Sequence, residues 1–220
     1  MRLVSKWSYA CAYRLAQTMN ESHQKRPVYY YGFIIAIGEL VKGVILISVS
    51  LLLGILLPVL IIAFTFASLR MIAGGYHMDT YSKCLFVSLG LFIAAALIAQ
   101  HTYAYWSLIH IMTIIGVTFL AGLYAVIRYI PRDTPNKPIT DPQEIRKFKR
   151  LSTMYLFIWA AGATALAGFG HNIVVLSLCF GVLLELFAVT PTGHPFFDTV
   201  KYKLVRKKKK QQKPKDSASI

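Results

Sequence analysis

Charge is scarce in this 220-residue chain: Asp, Glu, Lys and Arg make up only 15% of it, with 9 acidic residues against 24 basic ones. Hydrophobic residues reach 56% and the mean hydropathy is +0.53, above the roughly 45–50% apolar share of soluble domains. So little charge excludes an ordinary soluble domain and places most of the chain in lipid. Cysteine is scarce as well. Cys11, Cys84 and Cys179 are widely separated, which excludes a disulfide framework. No CxxC or HxxxH pattern accompanies His77 and Cys84, so the donors for a closed zinc site are missing and no metal is expected. Residues 1–26 lack a signal-peptide apolar core and an evident cleavage site, and are read as part of the mature protein.

What charge there is lies in patches. The net charge is +15, yet the segments 54–57, 101–105 and 168–172 contain no Lys or Arg. The N-terminal segment has Arg2, Lys6, Arg14, Lys25 and Arg26, the stretch 131–150 has six cations, and the tail from Lys201 onward has nine. Lys and Arg near helix ends mark the cytoplasmic side. Both termini are therefore expected in the cytoplasm, and the cations are read as topology determinants and contacts to anionic lipid, with no nucleic-acid partner.

The apolar runs fall into three pairs. Val28 to Leu69 is about twice the ~20 residues of one crossing and is expected to fold as a hairpin turning at Gly54 and Pro58. Cys84–Gln100 and Trp106–Ile130 form a second pair, and Leu151–Phe169 and Asn172–Val189 a third. The fold class expected is all-α, a polytopic membrane protein with helices near 28–53, 57–72, 79–100, 106–130, 151–169 and 172–189. Residues 1–26 mix Trp7, Tyr9, Leu15 and Met19 with polar groups, as an amphipathic helix on the inner leaflet does. Residues 201–220, with Arg206-Lys-Lys-Lys-Lys210, read as a disordered basic cytoplasmic tail.

One segment carries chemistry. Arg70-Met-Ile-Ala-Gly-Gly-Tyr-His-Met-Asp-Thr-Tyr-Ser-Lys-Cys84 joins two apolar runs at the cytoplasmic face and sets an imidazole seven residues before a thiol. On a straight helix that spacing separates the two side chains by about 10.5 Å along the axis, beyond hydrogen-bond reach. A Cys–His dyad therefore requires a helix break between them. Gly74-Gly75 supplies the freedom for it, and Asp79-Thr80 offers N-caps for a helix starting near residue 79. Cys84 then sits in the first turns of that helix, where unpaired backbone donors favour a thiolate. His77 would deprotonate it and later protonate a leaving amine, with Arg70 available for an acidic group. Composition and spacing leave open the plainer reading, a packing cysteine beside a polar loop histidine.

At these residues the chain resembles the AgrB family, accessory gene regulator protein B. The resemblance rests on Arg70, on Gly74-Gly75-Tyr76-His77 and on Cys84 at this spacing, and extends to Lys137-Pro138-Ile139 and Thr190-Pro191. It implies a single membrane peptidase domain over 1–200, a thiol protease of quorum sensing. Its substrate would be an AgrD-like propeptide, its catalytic residues His77 and Cys84, with Arg70, Gly74 and Gly75 supporting the site. A Cys84 thioester would be resolved by a Cys or Ser of the propeptide, closing a thiolactone or lactone. No cofactor is implied; a homodimer is.

Other charges point to a different class. Glu39 and Lys42 are three apart in the first crossing and share a face, and Glu185 lies near the end of the last. A charge in lipid costs about 2.5–3.5 kcal/mol on insertion scales and is a functional candidate by default. The alternative is a small transporter or lipid-binding sensor with Glu39, Lys42 and Glu185 as a polar pathway. Against it, Glu39 and Lys42 could simply pair, and Glu185 could line a substrate chamber or face headgroups. His110 and His171 are assigned to the far face, and Cys179 to packing.

Overall fold

The computed structural model describes residues 2–19, 26–75, 81–131, 141–193, 195, 196 and 199. Among them are seven α-helices and no strand: α1 (Arg2–Thr18), α2 (Arg26–Leu52), α3 (Leu56–Ala73), α4 (Tyr81–Thr102), α5 (Leu108–Arg128), α6 (Pro142–Gly168) and α7 (Asn172–Val189). Six of them, α2 to α7, are long and apolar enough to cross a membrane. The protein is an all-α polytopic membrane protein. Lys137-Pro138-Ile139 and the basic tail 201–220 lie outside the described residues.

Short turns join α2 to α3, α4 to α5 and α6 to α7. The first is made by Gly54 at φ 67°, with Ile55 N–H donating to the Ser50 carbonyl at 2.9 Å. Pro58, expected with Gly54 to mark the reversal, is the third residue of α3, inside the helix expected near 57–72. It is tolerated there because the first four N–H groups of a helix have no intrahelical acceptor to lose. The other two turns are tied together, Asn172 Nδ2 donating to the Trp106 carbonyl at 3.0 Å.

At the opposite end α6 begins at Pro142, nine residues before the expected 151. Asp141 accepts a hydrogen bond from Gln143 N–H at 2.9 Å, Pro142 occupies the first helical position and Glu144 lies in the first turn. Together these make a strong helix start. Hydropathy missed it because Arg146, Lys147, Lys149 and Arg150 fill the opening turns. Lys149 Nζ donates to the Ile127 carbonyl at 3.0 Å and so fastens this extension to the end of α5.

The centre of the bundle is α7. Over half of its apolar window, 56%, is buried, against 17–33% in the other spanning helices, and it packs on α3, α4, α5 and α6. Its crossing with α3 is close because Gly181 has no side chain. A Cβ there would lie 2.6 Å from Thr65 Cβ and 3.0 Å from the Ile62 carbonyl. At the same level the Tyr155 hydroxyl of α6 also reaches α3, meeting Ser68 Oγ at 2.8 Å and donating to the Thr65 carbonyl at 3.3 Å. The α3–α7 pair is thus held at one level by small and hydroxyl residues, where backbones can approach. At the edge, α1 lies on α2 through buried Ser8, Ala12 and Ala16, a single i, i+4 stripe. Trp7, Tyr9 and Met19 remain exposed.

Candidate active site

The site is built where α3 ends. Gly74 caps that helix at φ 78° and ψ −155°, its N–H donating to the Arg70 carbonyl, and Gly75 follows at φ 150°. Both conformations favour glycine. The next described residue is Tyr81, at the head of α4. The helical backbone is interrupted at Gly74-Gly75, ahead of His77; the break that a His77–Cys84 pairing needs between those two residues falls at positions outside the described residues. His77 itself, with Tyr76 and Met78-Asp79-Thr80, lies outside the described residues.

Cys84 is the fourth residue of α4 and is half-buried. Ser88 Oγ donates to its carbonyl at 2.5 Å, bracing the backbone from the next turn. The Cys84 side chain is thus partly accessible, whereas Cys179 is fully buried in the main core cluster. Cys179 belongs to the packing.

Arg70 is not simply open to an acidic ligand. Its Nη1 lies 3.5 Å from Glu185 Oε2 of α7, and its guanidinium stands over the Phe66 ring at 5.6 Å from the centroid. Glu185 is 0% exposed while Arg70 keeps 24%, so the acid is sealed in and the cation reaches the surface of the pair. This rules out the reading in which Glu185 faces headgroups. The other oxygen, Oε1, is buried with no hydrogen-bond partner among the described residues. It lies 3.3 Å from where a Gly75 Cβ would stand, and Arg70 Nη1 only 2.5 Å from the same point. The missing side chain of Gly75 is what lets the reversal close over the ion pair.

Helix crossing and ion pair share one cause. Gly181 meets Ile62 and Thr65, and Glu185, one turn later on α7, meets Arg70 further along α3. Residue numbers rise together on both helices, which therefore run parallel, and their close approach at Gly181 brings the carboxylate to the guanidinium. The structure joins Arg70, Gly75 and Glu185, with Gly74 completing the reversal and Cys84 opening the next helix. From the sequence Glu185 is open between a chamber lining and a headgroup contact, and a lone acid near the end of an apolar helix is the available signal.

The remaining charges do not join this cluster. Lys42 Nζ lies 2.6 Å from Glu39 Oε2 on α2, with Glu39 57% exposed. Each acid has its own cation: Glu39 has Lys42 and Glu185 has Arg70, and the two pairs sit on different helices. His110 Nδ1 pairs with Ser107 Oγ at 2.8 Å, at the end of the bundle opposite Arg70.

Fold and site together define a six-span membrane protein with a polar cluster at the end of its α3–α7 crossing and a thiol at the next helix start. The family model for accessory gene regulator B matches residues 8–189, and the chain belongs to the AgrB family. It is 24% identical over 206 residues to a Clostridium perfringens (strain 13 / Type A) protein described as AgrB-like protein 2, covering 90% of this chain and 96% of that one. A Clostridium perfringens (strain SM101 / Type A) protein described as AgrB-like matches with the same identity and coverage. No solved structure gives a significant match.

Proposed function

We propose that this protein is a membrane cysteine endopeptidase that cuts an AgrD-like propeptide and promotes its cyclisation. One observation carries the reading. In a chain of the AgrB family, α3 stops at a diglycine packed on the Arg70–Glu185 pair, and α4 restarts with Cys84 in its first turns. A further break between His77 and Cys84 would bring the imidazole to the thiol, and a place in the first turns of α4 would favour the thiolate.

The steps balance as acyl transfer. His77 takes the Cys84 proton, Sγ attacks the scissile carbonyl, and the C–N bond breaks as the imidazolium protonates the leaving amine. The product is a Cys84 thioester and a free C-terminal fragment. A Cys or Ser side chain of the propeptide then attacks the thioester carbonyl. The bond to Cys84 breaks, the proton passes through His77 to the Cys84 thiolate, and the ring leaves as a thiolactone or lactone. Exchange of one thioester for another keeps the acyl group activated, whereas water would discard that free energy, so exclusion of water favours the ring.

Glu185 acts here as a positioning residue. It holds Arg70 across the reversal and fixes Gly75, from which the chain continues to His77. Arg70 keeps its exposed edge toward substrate. By the positive-inside rule, the short cation-free turns lie outside and both termini and the site lie at the cytoplasmic face. The protein is read as a homodimer in the cell membrane.

The test is purified protein with an AgrD-like propeptide, followed by mass spectrometry. Wild type is expected to yield a ring lighter by one water than the hydrolysed fragment. Cys84→Ala and His77→Ala are expected to bind the peptide and leave it uncut.

A further inference from the structure

The charged extension of α6 that hydropathy missed makes a second site. Arg146, Lys147, Arg150, Leu151 and Met154 line an open depression of about 440 Å³ between their side chains on the exposed side of the helix. Among the described residues none of the three cations has an ion-pair partner, while their neighbour Lys149 is turned away to the Ile127 carbonyl. Below the cations the character of the same face changes. Leu151, Met154, Phe157 and Ile158 are exposed and apolar. Phe157 then opens an apolar groove between α5 and α6, lined by Phe119, Ala160, Ala161 and Thr164.

From this succession we propose that α6 carries a binding site for one anionic phospholipid. The headgroup phosphate sits in the cup of Arg146, Lys147 and Arg150. An acyl chain follows Leu151, Met154 and Phe157 into the groove. The dimensions agree. One leaflet of a ~30 Å hydrocarbon core is about 15 Å deep, or about ten residues of helix, which carries a chain from Arg150 to Ala160 at the mouth of the groove. Exposed cations directly above an apolar track match a lipid, whereas a soluble anion has no use for the track. Lys and Arg beside a membrane each strengthen attraction to anionic lipid roughly fivefold. The site is separate from the thiol chemistry and stands whether or not the peptidase reading does.

The experiment is native mass spectrometry of the full chain in detergent with equimolar phosphatidylglycerol and phosphatidylcholine. One phosphatidylglycerol is expected to be retained at least tenfold over phosphatidylcholine. The triple variant Arg146→Gln, Lys147→Gln, Arg150→Gln is expected to lose that preference, while the α1 variant Lys6→Gln, Arg14→Gln keeps it. Both variants must elute as wild type in size-exclusion chromatography; a triple variant that does not is replaced by Arg146→Gln alone, expected to lose severalfold. Retention of both lipids equally, or an unchanged preference in the α6 variant, overturns the proposal. So does displacement of the lipid by millimolar inorganic phosphate, which would mark a simple anion cup, or by a Glu-rich peptide, which would mark a protein-docking surface.

Discussion

Arg70 of α3 and Glu185 of α7 are 115 residues apart in the chain and 3.5 Å apart in space, with the acid completely buried and the cation only partly so. Removing one member of a buried pair typically costs about 3–5 kcal/mol, because the other is left uncompensated. The burial difference fixes the order. Arg70→Ala strands a sealed carboxylate and is expected to destabilise more than Glu185→Ala, which leaves a cation with access to the surface. Unfolding in mixed detergent micelles, read by circular dichroism, checks the ranking; equal losses would show that the pair is not asymmetric.

The pair also makes a claim about activity that a purely structural role does not. Glu185→Gln keeps the shape and removes the charge that holds Arg70. The turnover of a propeptide is expected to fall at least tenfold while the fold survives, with Glu185→Asp recovering part of it. Rates for the three proteins at equal folded fraction provide the measurement.

Gly75→Ala is expected to disable the site without unfolding the bundle. The new Cβ would fall 2.5 Å from Arg70 Nη1, at a φ of 150° that costs a side-chain-bearing residue about 1–3 kcal/mol. Gly90→Ala in α4 is the control, since nothing lies within 4 Å of its Cβ position. There alanine is expected to be neutral or to stabilise the helix by about 0.5–1 kcal/mol. Paired cleavage and unfolding assays separate the two glycines.

How far the sequence discloses this arrangement depends on what each residue's signal is made of. The six spans follow from uncharged runs, and the interruption after α3 from Gly74-Gly75, because lipid and backbone sterics act on local composition. The start of α6 was hidden, since a capped helix with four cations in its opening turns looks like a loop to hydropathy. Pro58 marks the reversal from inside the first turn of α3, where proline costs no intrahelical hydrogen bond. Glu185 was undecided because its role is set by Gly181, four residues earlier, against Thr65 on a distant helix. No local pattern contains that contact.

Gly181→Ala is accordingly expected to act at the site from a turn away. Its Cβ would meet Thr65 Cβ at 2.6 Å, and overpacking of this kind costs about 1–3 kcal/mol. Forcing α3 and α7 apart should loosen Arg70 from Glu185 and lower stability and cleavage together. The same two assays test it.

Thiol accessibility gives an independent check on which cysteine can react. In a Cys11→Ala background, a maleimide is expected to label half-buried Cys84 in the folded protein and Cys179, at 0% exposure, only after unfolding. Peptide mapping by mass spectrometry reads the sites, and native labelling of Cys179 would contradict the packing assigned to it.

The central claim is that the scissile acyl group passes through Cys84. Incubating the protein with an AgrD-like propeptide, quenching in acid and mapping the adduct by mass spectrometry tests it directly. An acyl thioester is expected on the peptide containing Cys84, absent from Cys84→Ala and from His77→Ala. Full cleavage of the propeptide by the Cys84→Ala protein would contradict it.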